Sequence, residues 1–237
     1  MNGPERGDPR DVLRRNLDEV RERIAAAAAR AGRPSAGITL VAVSKTAGPG
    51  MLRAAYEVGH RDFGENRAAL FATRAAALPG DVRWHFVGRL QGNKVRQVRP
   101  VAHLLHSLDR ADLAGYWVKG PGLPPPVLVQ VNLAGEPGKA GVLPQEAEGL
   151  VAAAVGLGLE VRGLMTIPPL PGRPADSRPC FRDLAILGER LARRWPGLTE
   201  LSMGMTDDFE VAVEEGATLL RVGRAIFGPF PDSGERG

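Results

Sequence analysis

Hydrophobic positions along this chain follow two rhythms that alternate from end to end. After a polar opening, Asp8-Pro9 offers an N-cap and a first-turn proline. Leu13, Leu17, Val20, Ile24, Ala27 and Ala31 then recur at helical spacing until Gly32 and Pro34 stop the helix. The next stretch, Ile38 to Thr46 (ITLVAVSKT), is a short run of apolar and β-branched residues, the pattern of a strand buried on both faces. Further strands are predicted over 61–66, 82–88, 103–108, 127–133, 161–167, 200–205 and 218–222. Helices are predicted between them over 49–58, 67–78, 91–99, 111–118, 144–155, 181–194 and 207–215. A proline-rich loop is expected over 168–179, and a last helical turn follows Gly223-Arg224.

Eight strands separated by helices, with one extra helix in front, make an α/β protein with a parallel sheet. They close most simply into a single (β/α)8 TIM-type barrel. An open doubly wound sheet is the alternative, but no GxGxxG turn follows the first strand. One domain over 1–237 is expected, with 1–8 and 230–237 as flexible tails.

Composition narrows the function classes. At 43% hydrophobic residues with no repeat, the chain reads as globular. No apolar run reaches the ~20 residues of a membrane span, and MNGPERGDPR lacks the apolar core of a secretory signal. One cysteine, Cys180, rules out an intrachain disulfide and fits a cytoplasmic protein. No Cys/His cluster has metal-ligand spacing. Net charge is +4 with a pI near 9.7. The arginines, however, are scattered and only 5% of residues are aromatic, so a solvated basic surface is expected rather than a nucleic-acid interface.

Chemistry in such barrels collects at the C-terminal ends of the strands. The first strand delivers Lys45, one of only four lysines among 31 Lys and Arg residues. Unlike arginine, a partly buried lysine can present a free amine that attacks a carbonyl. The other strand ends bring Glu65-Asn66, His85, Asn132, Met165-Thr166, Met203 to Thr206, and Arg221 with Gly223. Thr206 is placed to cap a helix, and Gly223-Arg224 opens a helical turn whose N–H groups suit a phosphate. Asp207 and Asp208 must face away from it. An amine beside a phosphate nest points to a phosphorylated aldehyde or ketone, either pyridoxal 5′-phosphate (PLP) or an aldolase-type sugar phosphate. Arg221 favours PLP, as a partner for a pyridine nitrogen. His85 and Asn66 are candidate cofactor contacts, and each residue also has an ordinary reading: His85 as a hydrogen-bonded core histidine, Asn66 as a strand terminator, Gln91-Gly92-Asn93-Lys94 as a helix start. Lys139 is either solvated or a second PLP-reactive amine.

The segments AVSKT (42–46), FGENR (63–67), WHFVGRLQGNK (84–94), KAG (139–141), GLMTI (163–167), LSMGMTDDF (201–209) and LRVGRAIFG (220–228) together resemble the PLP homeostasis protein family. These are single-domain relatives of the alanine racemase barrel (fold type III). The resemblance covers roughly Leu13 to Gly228. It implies Lys45 as the Schiff-base lysine, Asn66 near the ring, Arg221 at the pyridine nitrogen, and Thr206, Gly223 and Arg224 around the phosphate. Thr206 replaces the family's usual serine and Ala217 replaces a hydroxyl residue. The function implied is a PLP carrier or regulator, monomeric, serving apo PLP enzymes, and not a catalyst. An amino-acid racemase is the alternative. Racemisation needs a base on each face of the substrate; the added domain that carries the second one in racemases is not expected here, and Tyr56 and Tyr116 fall in predicted helices.

Overall fold

The structure, a computed structural model, describes residues 8–170 and 172–228. Of the two expected tails, all but Asp8 lie outside the described residues. Asp8 caps the first helix, α1 (Pro9–Arg30), accepting the Arg10 N–H at 2.9 Å while Pro9 fills the first turn.

Eight strands close into one parallel barrel in chain order. They are β1 (Thr39–Val43), β2 (Asp62–Glu65), β3 (Arg83–Phe86), β4 (Leu104–Leu108), β5 (Val127–Gln130), β6 (Val161–Met165), β7 (Glu200–Ser202) and β8 (Leu219–Val222). Between them run α2 (Pro49–Glu57), α3 (Ala68–Ala76), α4 (Val95–Val98, entered through a 3-10 turn at Gly92–Lys94), α5 (Ala111–Val118), α6 (Ala147–Gly156), α7 (Arg178–Ala192) and α8 (Phe209–Glu214). A last turn, α9 (Arg224–Phe227), follows β8. The additional helix α1 packs against α2, α8 and α9.

Alternation along the strands sorts side chains into two layers. Outward residues such as Trp84, Phe86 and Leu105 join Leu13, Leu17, Phe71 and Phe181 of the helices in the larger core. Phe71 meets Phe86 edge to face at 5.4 Å. Burying each such side chain contributes about 1.5–3 kcal/mol. Inside the barrel, Val41, Leu104, Leu128, Met165 and Leu219 form a smaller apolar cluster. The same inward parity places Asp62, His85, His106 and Arg221 inside the barrel.

Differences from the sequence expectation fall mostly at strand ends. The first strand stops at Val43, not Thr46, and the seventh stops at Ser202, not Met205. Beyond the seventh, Gly204 takes φ +89°, where a Cβ would lie 2.5 Å from the Ala212 methyl, and its carbonyl still accepts the Arg221 N–H at 3.0 Å. The predicted loop over 168–179 is partly helical: a 3-10 turn occupies Pro174–Ser177 and α7 begins at Arg178. Pro179 sits in the first turn of α7, where a missing N–H costs nothing. Among the described residues no helix is long and apolar enough to cross a membrane, and no group of acidic, His or Cys side chains could hold a metal.

Candidate cofactor site

Lys45 stands two residues beyond β1 at the C-terminal mouth, and its side chain is exposed, not partly buried as expected. Its backbone is clamped. Arg74 of α3 donates to the carbonyls of Ser44 and Ala47 on either side of it, the latter at 3.2 Å, and to Ser44 Oγ at 2.8 Å. The same guanidinium lies 2.7 Å from the buried Glu65 carboxylate, whose other oxygen accepts the N–H groups of Asn66 and Arg67 (2.7 and 2.8 Å). One buried ion pair therefore fixes the strand ends that carry Lys45 and Asn66. Asn66 is exposed at the mouth, and Gly88 is required beside it because a Cβ there would stand 2.2 Å from the Asn66 carbonyl oxygen.

Arg221 is buried on the inner face of β8. It donates to Ser202 Oγ (2.5 Å) and to the Thr166 carbonyl (2.8 Å), using two of five N–H donors. Burial lowers its pKa to about 10, which leaves it a cation at neutral pH.

Ser202 opens a chain of contacts through the barrel interior. His106 Nδ1 lies 2.8 Å from Ser202 Oγ, His106 Nε2 lies 2.9 Å from His85 Nδ1, and His85 Nε2 lies 3.2 Å from Asp62 Oδ1. Both ends have fixed roles, since a guanidinium only donates and a carboxylate only accepts. With both imidazoles neutral, every proton between them is then assigned. Ser202 accepts from Arg221 and donates to His106 Nδ1; His106 donates from Nε2 to His85 Nδ1; His85 donates from Nε2 to Asp62. Burial and the neighbouring His85 hold the His106 pKa well below its ordinary value, in keeping with this neutral tautomer. Burial would raise the Asp62 pKa, but hydrogen bonds from His85 and Arg83 outweigh it and keep Asp62 ionised.

Both His85 nitrogens are thus engaged within the protein. Thr206 does not cap a helix. α8 starts three residues later, and Asp208 holds the turn by accepting the Met205 N–H and the Ser177 hydroxyl, both at 2.7 Å. Asp208 does face away, as expected, but Asp207 pairs with Arg224. The turn at Gly223 forms as expected: Ile226 and Phe227 donate to the Gly223 carbonyl, while the N–H groups of Arg224 and Ala225 have no backbone acceptor among the described residues. Lys139 is exposed and pairs with Glu136. Arg74, His106 and Ser202 were missed by sequence reasoning, although inward parity with His85 was a signal for His106.

A parallel barrel with a strand-end lysine on β1 and a buried arginine on β8 defines a barrel of the alanine racemase type. Alanine racemase from Corynebacterium glutamicum aligns with 96% of the chain at TM-score 0.68 and 18% identity, a likeness of fold. No family model matches the chain. The chain is 44% identical over 218 residues to the pyridoxal phosphate homeostasis protein of Aquifex aeolicus, covering 90% of this chain and 96% of that protein. A PLP-bound structure of PipY from Synechococcus elongatus aligns at TM-score 0.72 and 35% identity, covering 88% of this chain and all of PipY. The chain belongs to the pyridoxal phosphate homeostasis protein family.

Proposed function

We propose that this protein binds PLP at the C-terminal mouth of the barrel and acts as a carrier in PLP homeostasis, without substantial turnover. Bound there, PLP supplies an aldehyde that an amine captures reversibly. Lys45 is the capturing amine, and its clamped backbone sets where that amine works. Asn66 borders the ring. Thr206, Gly223 and Arg224 surround the phosphate with a hydroxyl that makes no other hydrogen bond among the described residues, open N–H groups and a guanidinium. His85 acts at one remove.

The observation that carries this reading is Arg221, a buried cation with donors left over and, among the described residues, no carboxylate in contact. A pyridine nitrogen that accepts a hydrogen bond from such a cation is held unprotonated, which weakens the ring as an electron sink. Arg221 thus speaks for a pyridine-bearing ligand, while carrier and racemase are separated by the need for a second base. The racemase alternative finds little support in the tyrosines: Tyr56 stacks under the Arg61 guanidinium at 3.9 Å on α2, and Tyr116 is exposed on α5. The sugar-phosphate aldolase reading leaves Arg221 without a role.

PLP-loaded protein should exchange the α-protons of free amino acids no faster than free PLP does, and should hand its PLP to an apo-enzyme. A positioned base is worth roughly 10²–10⁴-fold. Racemisation at about 1 s⁻¹ or more, within the range of ordinary enzymes, would make the protein a racemase. We further propose that it acts as a monomer toward apo PLP enzymes, which light scattering and transfer assays would check.

A further inference from the structure

The segment Gln91-Gly92-Asn93-Lys94 has no role in the site above, yet it borders the largest of the described cavities. This cleft of about 710 Å³ lies where the chain leaves β2, β3 and β4, and Arg67, Arg89, Lys94 and Arg110 line it with Leu90 and Gln91. No lining residue is acidic.

Ion pairing on other faces gives the contrast. Arg178 is matched by Glu214 and Glu215, both at 2.6 Å, and Arg61 is matched by Asp81 at 2.7 Å. In the cleft, the side chains of Arg67 and Lys94 make no hydrogen bond or ion pair among the described residues. Arg89 reaches Asp109 only at 3.8 Å, and Arg110 holds Asp109 at 2.5 Å and the Leu90 carbonyl at 2.9 Å. Glu65 lies nearby in sequence but is buried and committed to Arg74. Four cations therefore face a single carboxylate. Concave walls of one sign focus the field between them, and guanidinium groups suit bidentate contact with phosphate or carboxylate.

We propose that this cleft is a binding site for a small, multiply charged anion, a phosphate ester or a polycarboxylate, distinct from the phosphate nest at β8. The volume falls in the range of small-molecule sites. A monoanion would leave two of the three surplus positive charges unmatched, so the ligand carries at least two. Around the barrel, β8, β1 and β2 are consecutive neighbours. The cleft thus lies on the far side of Lys45 and Asn66 from Gly223 and Arg224, and one ligand group does not serve both places. The site stands whether or not the cofactor reading holds.

The test is calorimetric titration of the full chain, loaded with PLP, using pyrophosphate and citrate as probes. One saturable site is expected, weakened at least about tenfold in the double variant Arg67→Gln/Lys94→Gln, the scale of losing one charge-assisted hydrogen bond. Arg190→Gln/Arg193→Gln, which removes equal charge at the end of α7, should change affinity less than about twofold, as expected for screened distant charges. The cleft variant should keep its unfolding midpoint, since neither side chain holds the fold. Tighter pyrophosphate binding would assign a phosphorylated ligand, and tighter citrate binding a polycarboxylate. A chain that takes up no PLP is titrated unloaded, and the same comparison of variants decides. Absence of a saturable site, or equal weakening by the α7 variant, would overturn the proposal.

Discussion

Replacing His106 by leucine cuts the interior chain in the middle. The side chain is fully buried and makes two hydrogen bonds, to Ser202 at 2.8 Å and to His85 at 2.9 Å. Its loss strands the Ser202 hydroxyl and the His85 Nδ1 acceptor away from water. Each orphaned buried group costs about 1–3 kcal/mol, so His106→Leu should destabilise by about 2–6 kcal/mol. Against a total stability of about 5–15 kcal/mol, that is large. With a urea dependence of about 2–3 kcal/mol per molar, the unfolding midpoint should drop by about 0.7–3 M. His106→Asn retains an acceptor near the Nδ1 position and should recover about half of the loss. The second readout is PLP affinity. Once Ser202 no longer donates to His106, its hydroxyl is free to turn, Arg221 loses its fixed acceptor, and PLP should bind several-fold more weakly. A leucine variant within about 0.5 kcal/mol of the parent, with unchanged PLP affinity, would refute the proton assignment and the coupling to Arg221.

Acid should destabilise the fold through its buried histidines. Burial lowers the His60 pKa from 6.5 to about 4, and His106 shifts the same way. Between those values the unfolded chain takes up a proton that the folded chain refuses, so stability is lost as pH falls below 6.5. The slope is about 1.4 kcal/mol per pH unit for each histidine. Urea midpoints at pH 7.5 and 5.5 would check this, and equal values would contradict it. Asp207→Asn should free Arg224 from its ion pair and remove a negative charge from the phosphate nest, tightening PLP binding a few-fold in a fluorescence titration. Weaker binding would mean that Asp207 orients Arg224 for the ligand.

The barrel was legible because most strands are short runs rich in apolar residues and alternate regularly with helices that show their own spacing. Lys45, Arg221 and the Gly223 turn were legible for a different reason: few lysines compete for attention, and strand ends are where polar residues need an explanation. What escaped depends on parity and on contacts between distant strands. His106 and Ser202 are separated by 96 residues and meet only once the barrel closes. Arg74 lies among alanines in a helix, and nothing in its neighbourhood signals that it holds the Lys45 loop 30 residues away. Strand ends were predicted too long at the mouth because residues with strand propensity pass there into the loops that follow the strands. Thr206 was misread as a cap because Asp208, two positions later, holds the turn instead.

The measurement that bears most directly on the central claim is borohydride reduction of PLP-treated protein followed by peptide mass mapping. A pyridoxyl adduct on Lys45, absent from a folded Lys45→Ala variant that also lacks the visible absorption of lysine-bound PLP, is the expected result. No adduct, or an adduct confined to Lys94, Lys119 or Lys139, would contradict the assignment of Lys45 as the amine that holds PLP.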